Sequence, residues 1–103
     1  VHLGLGADGH TASWPPVPHA DAPVVSSQND VAMVGDFNGR GRMTLTPEPV
    51  NRARGRLILT TGKSKADMVR RWLERDRSTP VSHVRRSGTT LFIDAAAAAK
   101  LPG

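Results

Sequence analysis

Apolar residues occur along the chain in short runs that are rich in β-forming side chains and are separated by polar or glycine-containing loops. Runs of this kind predict strands. The predicted strands are Val1–Leu5, Val31–Phe37, Arg42–Leu45, Leu57–Thr61 and Thr89–Ile93. We expect the fourth of them to be a central strand because it is apolar and bounded by polar segments. Asn38-Gly39 is a strong turn signal and predicts a hairpin with an arginine-bearing loop.

A second pattern, with apolar residues at helical spacing, extends from Lys63 to about Arg75 and predicts the principal helix. Its apolar stripe consists of Ala66, Val69, Trp72 and Leu73. Opposite charges four positions apart stabilise such a helix slightly. Two pairs of this kind occur, Asp67–Arg71 and Arg70–Glu74.

Two shorter helices are predicted from capping residues. Thr46 can cap a helix that has Pro47 at its first position and runs to about Ala53. Asp94 can cap a helix over Ala95–Ala99. The segment Trp14–Asn29 is predicted to be a loop because prolines interrupt it. This order of strands and helices is typical of an α/β layered sheet.

Composition limits the protein class. The 103 residues are enough for one domain, and with 38% hydrophobic but only 4% aromatic residues the core must be aliphatic. Without cysteine there is no disulfide framework and no thiolate metal site, which is compatible with a cytoplasmic location. No apolar run reaches the ~20 residues of a membrane span. The start, Val-His-Leu-Gly, has no signal-peptide pattern, and we expect the sequence to be part of a longer chain.

The net charge of +5 comes from 14 Lys and Arg against 9 Asp and Glu. Such a balance fits nucleic acid, an acidic membrane surface or a small anionic substrate. The charges form no long block, and the four aromatic residues are too scattered to form a stacking platform for bases. The charge therefore indicates a solvated basic surface or an anionic small molecule rather than nucleic acid or membrane.

The candidate chemistry lies in the stretch from Leu3 to Ser13, where an apolar run ends in a loop with Gly6, Asp8, Gly9 and His10. Ligands bind beyond the carboxyl ends of strands in open α/β sheets. A carboxylate beside an imidazole orients the ring and supports its cationic form, as general-base catalysis requires. A histidine with a purely structural hydrogen bond is the alternative. None of the histidines shows metal-ligand spacing.

The glycines in this stretch also match a G-x-G-x-x-G pattern, which on its own is a weak indicator of dinucleotide binding. The fingerprint needs a long helix directly after the loop, and the prolines from Pro15 to Pro23 prevent one. The fingerprint also requires an acidic residue at the end of the next strand, whereas Asp30 lies at the beginning of a predicted strand. The sequence therefore does not favour NAD, and it implies no cofactor.

Two lysines, Lys63 and Lys65, begin the principal predicted helix, where the positive pole of the helix dipole disfavours cations. A bound phosphate would remove this conflict, since free backbone N–H groups and lysine would hold it together. Solvated lysines are the alternative, and the residues alone leave the choice open. Arg42, at the start of a predicted strand, is a second possible phosphate contact.

Several of these motifs resemble those of 6-phosphogluconolactonases, in the superfamily that includes glucosamine-6-phosphate deaminases. The matching stretches are Leu-Gly-Leu-Gly-Ala-Asp-Gly-His-Thr-Ala-Ser at 3–13, Arg-Met-Thr-Leu-Thr at 42–46 with Asn51, Leu-Ile-Leu-Thr-Thr-Gly-Lys-Ser-Lys-Ala at 57–66, and Val-Ser-His-Val at 81–84 with Leu-Phe-Ile-Asp at 91–94. The resemblance spans nearly the whole chain, 1–103, as the C-terminal part of a single domain. It implies a Rossmann-like three-layer α/β/α fold, of which this chain would be the C-terminal half.

The resemblance implies hydrolysis of 6-phospho-D-glucono-1,5-lactone to 6-phospho-D-gluconate in the pentose phosphate pathway, without metal or redox cofactor. It implies that His10 activates water, and that Asp8 orients His10 or contacts the substrate. It also implies that Gly6, Gly9, Arg42 and Lys65 contact the phosphorylated sugar lactone. Trp14 departs from the family, which usually continues with Leu-Phe-Pro-Gly. The alternatives are a sugar-phosphate isomerase or deaminase of the same superfamily, which typically has a glutamate after this motif, and an inactive sugar-phosphate-binding fragment. The oligomeric state is not predicted.

Overall fold

A computed structural model of the chain describes residues 1–15, 22–37 and 40–102. The strands are β1 (His2–Leu3), β2 (Val31–Phe37), β3 (Arg40–Leu45), β4 (Arg56–Thr60) and β5 (Thr89–Ile93). The α-helices are α1 (Pro47–Arg52) and α2 (Ala66–Leu73). Short 3₁₀ helices occupy Ala22–Ser26, Lys63–Lys65 and Pro80–His83. All of the predicted strands are present, although β1 is shorter than predicted.

Three strands form a parallel sheet in the order β1-β4-β5. Leu3 pairs with Ile58, and Ile58 pairs with Leu91, so β4 has a neighbour on each side. This confirms the predicted central position of the fourth strand. The carboxyl ends of all three strands lie at one edge, because parallel strands run in the same direction.

A separate antiparallel hairpin consists of β2 and β3. The pairing runs from Val31 with Leu45 to Phe37 with Arg40, and its register shifts between Val34 and Phe37. The prediction of a hairpin is confirmed by this pairing. The Asn38-Gly39 turn itself lies outside the described residues.

The core is mostly aliphatic, as the composition predicts, but it also contains both tryptophans. Its buried residues are Leu3, Leu5, Trp14, Val24, Val34, Val50, Ile58, Val69, Trp72, Val81, Val84 and Ala97. The indole N–H of Trp14 donates to Leu45 O at 2.7 Å, and that of Trp72 donates to Val84 O at 3.1 Å. Each tryptophan therefore adds a directional contact to its buried area.

One face of the parallel sheet and one face of the hairpin carry exposed apolar side chains. Leu59 and Phe92 are register partners on β4 and β5, and they are 60% and 52% exposed. Met33 and Met43 are partners on the hairpin and are 74% and 70% exposed. The described part of the chain therefore leaves these two faces uncovered.

The principal predicted helix is confirmed over Ala66–Leu73, but its first turn differs from the prediction. Lys63–Lys65 form a 3₁₀ turn, and Gly62 before them has a φ of +98°. The predicted charge pairs are present, with Arg71 Nε 3.0 Å from Asp67 and Arg70 Nη1 2.9 Å from Glu74. Ala66, Val69 and Trp72 of the stripe are buried, which explains the position of the helix.

The predicted helix over Ala95–Ala99 is wrong, because residues 95–100 form consecutive turns. Asp94 nevertheless caps this segment by accepting the N–H of Ala97 at 2.8 Å. Only Ala97 of the run is fully buried. An alanine run this short contributes too little packing to overcome the cost of helix nucleation.

Two other local predictions need correction. Thr46 precedes α1, but its hydroxyl donates to Asn29 O and makes no capping bond to the helix. Of the predicted loop Trp14–Asn29, residues 16–21 lie outside the described residues, and Ala22–Ser26 forms a 3₁₀ helix. For Thr46, a contact with a distant segment overrides the local preference of the residue.

Candidate functional site

The loop that follows β1 folds back on itself through its own backbone. The Gly6 N–H donates to His10 O at 2.9 Å, and the Gly9 N–H donates to Gly6 O at 3.0 Å. The hydroxyl of Thr11 donates to Gly4 O at 2.7 Å. Outside the loop, the Val81 N–H donates to Gly9 O at 3.0 Å. The loop is therefore closed internally and held against the 3₁₀ helix at Pro80–His83.

Asp8 and His10 form a hydrogen-bonded pair within this loop. His10 Nδ1 lies 2.6 Å from Asp8 Oδ1, and the His10 backbone N–H donates to the same oxygen at 3.1 Å. A carboxylate at Nδ1 favours the tautomer with the proton on Nδ1 and the lone pair on Nε2. The pair therefore has the arrangement of a general base and the group that orients it.

The electrostatics of the pair favour an ionised Asp8. Partial burial raises the pKa of this carboxyl. The hydrogen bonds from the His10 backbone and ring, together with the charge of the ring, lower it by more than burial raises it. The net pKa of Asp8 is below its ordinary value. Asp8 is thus a carboxylate at neutral pH, with its charge beside the ring of His10.

Gly6 and Gly9 allow this geometry, and no larger residue fits at either position. A Cβ on Gly6 would lie 2.3 Å from His10 Nδ1 and 2.9 Å from Asp8 Oδ1. Gly9 has a φ of +89°, and a Cβ there would lie 2.9 Å from Thr79 Cβ. The described contacts thus give both glycines a steric role in the loop.

A cavity of about 860 Å³ lies beside the loop, within the size range of small-molecule sites. Gly6, His10 and Lys65 are among its lining residues. The remaining lining comes from residues 1–5 and 11–13, from β3, from Val50 of α1 and from the carboxyl end of β4 with Thr61. The structure therefore brings together three of the six predicted site residues at one concave surface.

The other three predicted residues do not line the cavity. Asp8 is hydrogen-bonded to His10 Nδ1, and a Cβ on Gly9 would meet Thr79 and Met68. Arg42 lies on β3 and pairs with Val34 across the hairpin. It is on the same strand face as the lining residue Thr44 but two positions before it, and it is not itself among the lining residues.

The structure separates Lys63 from Lys65, the lysine that the family resemblance implies as a substrate contact. Lys65 is half-buried, lines the cavity and immediately precedes α2. Lys63 is exposed and is not a lining residue. An anion in the cavity would therefore meet the ammonium of Lys65 near the amino end of α2.

Asp94 holds the turn that leads to Lys65. Its carboxylate accepts the Gly62 N–H at 3.1 Å, which joins the end of β5 to the turn after β4. The backbone N–H groups of Ala97 and Gly62 lower the pKa of Asp94 below its ordinary value. This carboxylate is therefore part of the support of the cavity rather than of its lining.

Among the lining residues that sequence reasoning missed are Thr60 and Thr61. The Thr60 hydroxyl donates to Leu5 O at 3.2 Å, which ties the end of β4 to the segment that follows β1. The signal that could have identified them is their position. Polar residues at the carboxyl end of a central parallel strand face the crevice in which ligands bind.

The described residues offer no group of three His, Asp or Glu side chains placed to hold a metal ion. In the same ranges, no helix is long and apolar enough to cross a membrane.

Residues 1–93 match the family described as glucosamine-6-phosphate isomerases/6-phosphogluconolactonase. A candidate 6-phosphogluconolactonase of Caenorhabditis elegans is 34% identical over 106 residues, which are 99% of this chain and 39% of that protein. A 6-phosphogluconolactonase of Synechocystis is 44% identical over 65 residues, which are 63% of this chain and 25% of that protein. The chain thus spans about two fifths or less of these relatives.

The crystal structure of 6-phosphogluconolactonase from Leishmania guyanensis superposes with a TM-score of 0.81 at 29% identity, covering 100% of this chain and 41% of that one. The Trypanosoma brucei enzyme superposes with a TM-score of 0.76 at 28% identity, covering 99% and 41%. These superpositions confirm the predicted α/β fold class.

Proposed function

Because this chain belongs to the family of glucosamine-6-phosphate isomerases and 6-phosphogluconolactonases, we propose that its Asp8–His10 loop catalyses the hydrolysis of 6-phospho-D-glucono-1,5-lactone to 6-phospho-D-gluconate. The observation that carries the proposal is the 2.6 Å contact between Asp8 Oδ1 and His10 Nδ1, with the ring of His10 lining a cavity. The relatives that are named 6-phosphogluconolactonases support the choice of substrate.

In the proposed reaction, His10 Nε2 takes a proton from a water molecule as the water oxygen attacks the lactone carbonyl carbon. The carbonyl π electrons move to its oxygen and form a tetrahedral intermediate. The bond between that carbon and the ring oxygen then breaks, and the His10 imidazolium returns the proton to the ring oxygen. The products are a hydroxyl group and a carboxylic acid that ionises, so the step consumes water and needs no redox equivalent.

Asp8 acts through His10 in this scheme. With Nδ1–H held by a carboxylate whose pKa is below its ordinary value, Nε2 keeps its lone pair for the water proton. The carboxylate also stabilises the imidazolium during the reaction. Removing the carboxylate alone should therefore reduce the rate less than removing the ring.

The phosphate of the substrate is assigned to Lys65, which is half-buried at the cavity beside the amino end of α2. Ammonium and helix dipole act in the same direction on an anion at this place. The net charge of +5 would also favour the approach of an anionic substrate.

The experiment follows acid release from freshly generated lactone against its spontaneous opening. We expect His10→Ala to reduce the catalysed rate by about 100-fold or more, and Asp8→Asn to reduce it less. Lys63→Ala is the control, because it removes a cation that does not line the cavity. No acceleration by the wild-type chain, or an equal rate with His10→Ala, would contradict the proposal.

A further inference from the structure

A second cavity, of about 470 Å³, shares no lining residue with the cavity beside His10. It lies between the end of α2 and the segment that follows the 3₁₀ helix at Pro80–His83. Four arginines line it, Arg75, Arg77, Arg85 and Arg86. His83 and two serines are also lining residues, and no carboxylate is among them. The second cavity is therefore strongly electropositive.

The neighbouring carboxylates of the described chain are engaged elsewhere. Glu74 pairs with Arg70 at 2.9 Å. Asp76 accepts the Ser78 N–H at 2.9 Å, and it lies 3.9 Å from Arg71. Within residues 1–15, 22–37 and 40–102, no carboxylate forms an ion pair with a lining arginine of the second cavity. Among the described residues, the guanidinium groups of the second cavity thus repel one another with no carboxylate at ion-pair distance.

Arg75 occupies a position that normally favours glycine. The Asp76 N–H donates to Arg71 O at 2.9 Å and the Arg75 N–H donates to Trp72 O at 3.2 Å, which is the Schellman pattern at the end of α2. Arg75 has a φ of +62° there, in the left-handed region. Glycine would adopt this conformation without strain. The arginine instead places a guanidinium at the second cavity.

The walls of the second cavity are held by several hydrogen bonds. Asn51 donates to His83 O at 2.8 Å and accepts the Arg85 N–H at 2.9 Å. Arg86 Nη1 donates to Leu73 O at 2.6 Å, which fixes one guanidinium against the end of α2. Desolvation and the nearby Arg77 lower the pKa of His83 below its ordinary value, in agreement with a positive field.

From this arrangement we propose that the second cavity binds the phosphoryl group of a small phosphorylated molecule or of free inorganic phosphate. Guanidinium groups match the charge and geometry of phosphate oxygens. The volume suits a metabolite rather than a polymer. This site goes beyond the proposed lactonase function and does not depend on it.

The test is a titration of the ¹⁵N-labelled chain at constant ionic strength with inorganic phosphate, glucose 6-phosphate and, as the uncharged control, glucose. The reporters are the indole N–H of Trp72 and the backbone amides of 82–87, with Gly6 and His10 as reporters of the first cavity. We expect saturable shifts at the former group with both phosphates and none with glucose. If glucose 6-phosphate binds more tightly than inorganic phosphate, the ligand of the second cavity is a phosphorylated metabolite. If the two bind equally tightly, the phosphate group alone is sufficient for binding.

Two variants make the assignment specific. Arg77→Gln and Arg75→Gly should each weaken binding about tenfold, whereas Arg54→Gln, an exposed arginine outside the second cavity, should weaken it less than about twofold. Arg75→Gly should keep or raise the melting temperature, because glycine adopts this conformation without strain. A loss of phosphate affinity in this variant can therefore not be explained by unfolding. Shifts that do not saturate, that occur only at Gly6 and His10, or that weaken equally in Arg54→Gln would overturn the proposal.

Discussion

Replacing Arg56 by methionine should destabilise the chain far more than replacing any neighbouring arginine. The side chain is 4% exposed, although it begins the central strand β4. Its Nη1 donates to the carbonyls of Val50, Asn51 and Ala53 at 3.2, 3.2 and 3.0 Å. Nε donates to Thr89 Oγ1 at 2.9 Å, and Nη2 donates to Ser87 O. One guanidinium thus joins the end of α1 to the start of β5.

The magnitude follows from these contacts. Methionine fills a similar volume but removes every one of these donors. The bond to Val50 O is fully buried, but this oxygen keeps the N–H of Ala53 at 3.3 Å, so the loss there should cost about 1 kcal/mol. The other four bonds are partly buried and should cost about 0.5 kcal/mol each. Loss of the desolvation penalty of the guanidinium offsets about 1 kcal/mol of this. We expect the free energy of unfolding to fall by about 2 kcal/mol, and the melting temperature by about 10 °C.

The assay is urea and thermal unfolding, followed by the fluorescence of the buried Trp14 and Trp72 and by circular dichroism. Arg54→Met is the matched control, because that arginine is exposed and should change stability by no more than about 0.5 kcal/mol. Arg56→Lys keeps the charge but not the fork of donors, and should recover less than half of the loss. A value for Arg56→Met within about 1 kcal/mol of wild type, or equal to that of Arg54→Met, would refute the reasoning.

Three further changes test the first cavity and its support. Gly6→Ala should lower lactone hydrolysis by about tenfold or more, because its Cβ would lie 2.3 Å from Nδ1 of the His10 ring. Gly55→Ala, with open space around the added atom, should not lower it, and equal rates for the two variants would contradict the steric argument. Lys65→Ala should raise KM for the phosphorylated lactone by about tenfold and Lys63→Ala should not, and equal KM values would show that neither lysine contacts the phosphate. The pKa of Asp94 is lowered in the folded chain, so the ionised carboxylate stabilises the fold above the ordinary value of 3.8, and this stabilisation is lost as pH falls through the folded pKa. Asp94→Asn should therefore lose less stability than wild type when the pH is lowered in acid unfolding experiments. An acid unfolding curve identical to that of wild type would contradict this prediction.

Local chemistry explains why the strands and α2 could be predicted. An apolar run as short as Leu57–Thr61 favours a strand. The residues of the stripe through Val69 and Trp72 face the same core only if the segment is helical. The Asp8–His10 pair was equally local, because residues two positions apart in a glycine loop can meet without help from elsewhere. The catalytic role of this pair stays a prediction.

Distant contacts explain the failures. Thr46 has the chemistry of an N-cap, but its hydroxyl bonds to Asn29, which the hairpin brings near. The alanine run after Asp94 has high helix propensity and still forms turns, since little of it packs against the core. Both cases show propensity being overridden by what the surroundings offer.

The sequence by itself determined the order of the elements, the hairpin, the central strand and the loop that joins Asp8 to His10, because each depends on spacing within a few residues. Only the tertiary structure decided that Lys65 and not Lys63 lines the first cavity, that Arg42 lies outside it, and that Arg56 is buried. It also decided that arginines from the end of α2 and from the segment after Pro80–His83 share the second cavity. These outcomes depend on which segments meet across the sheet, and the free energy of such contacts is not encoded in the spacing of any one segment.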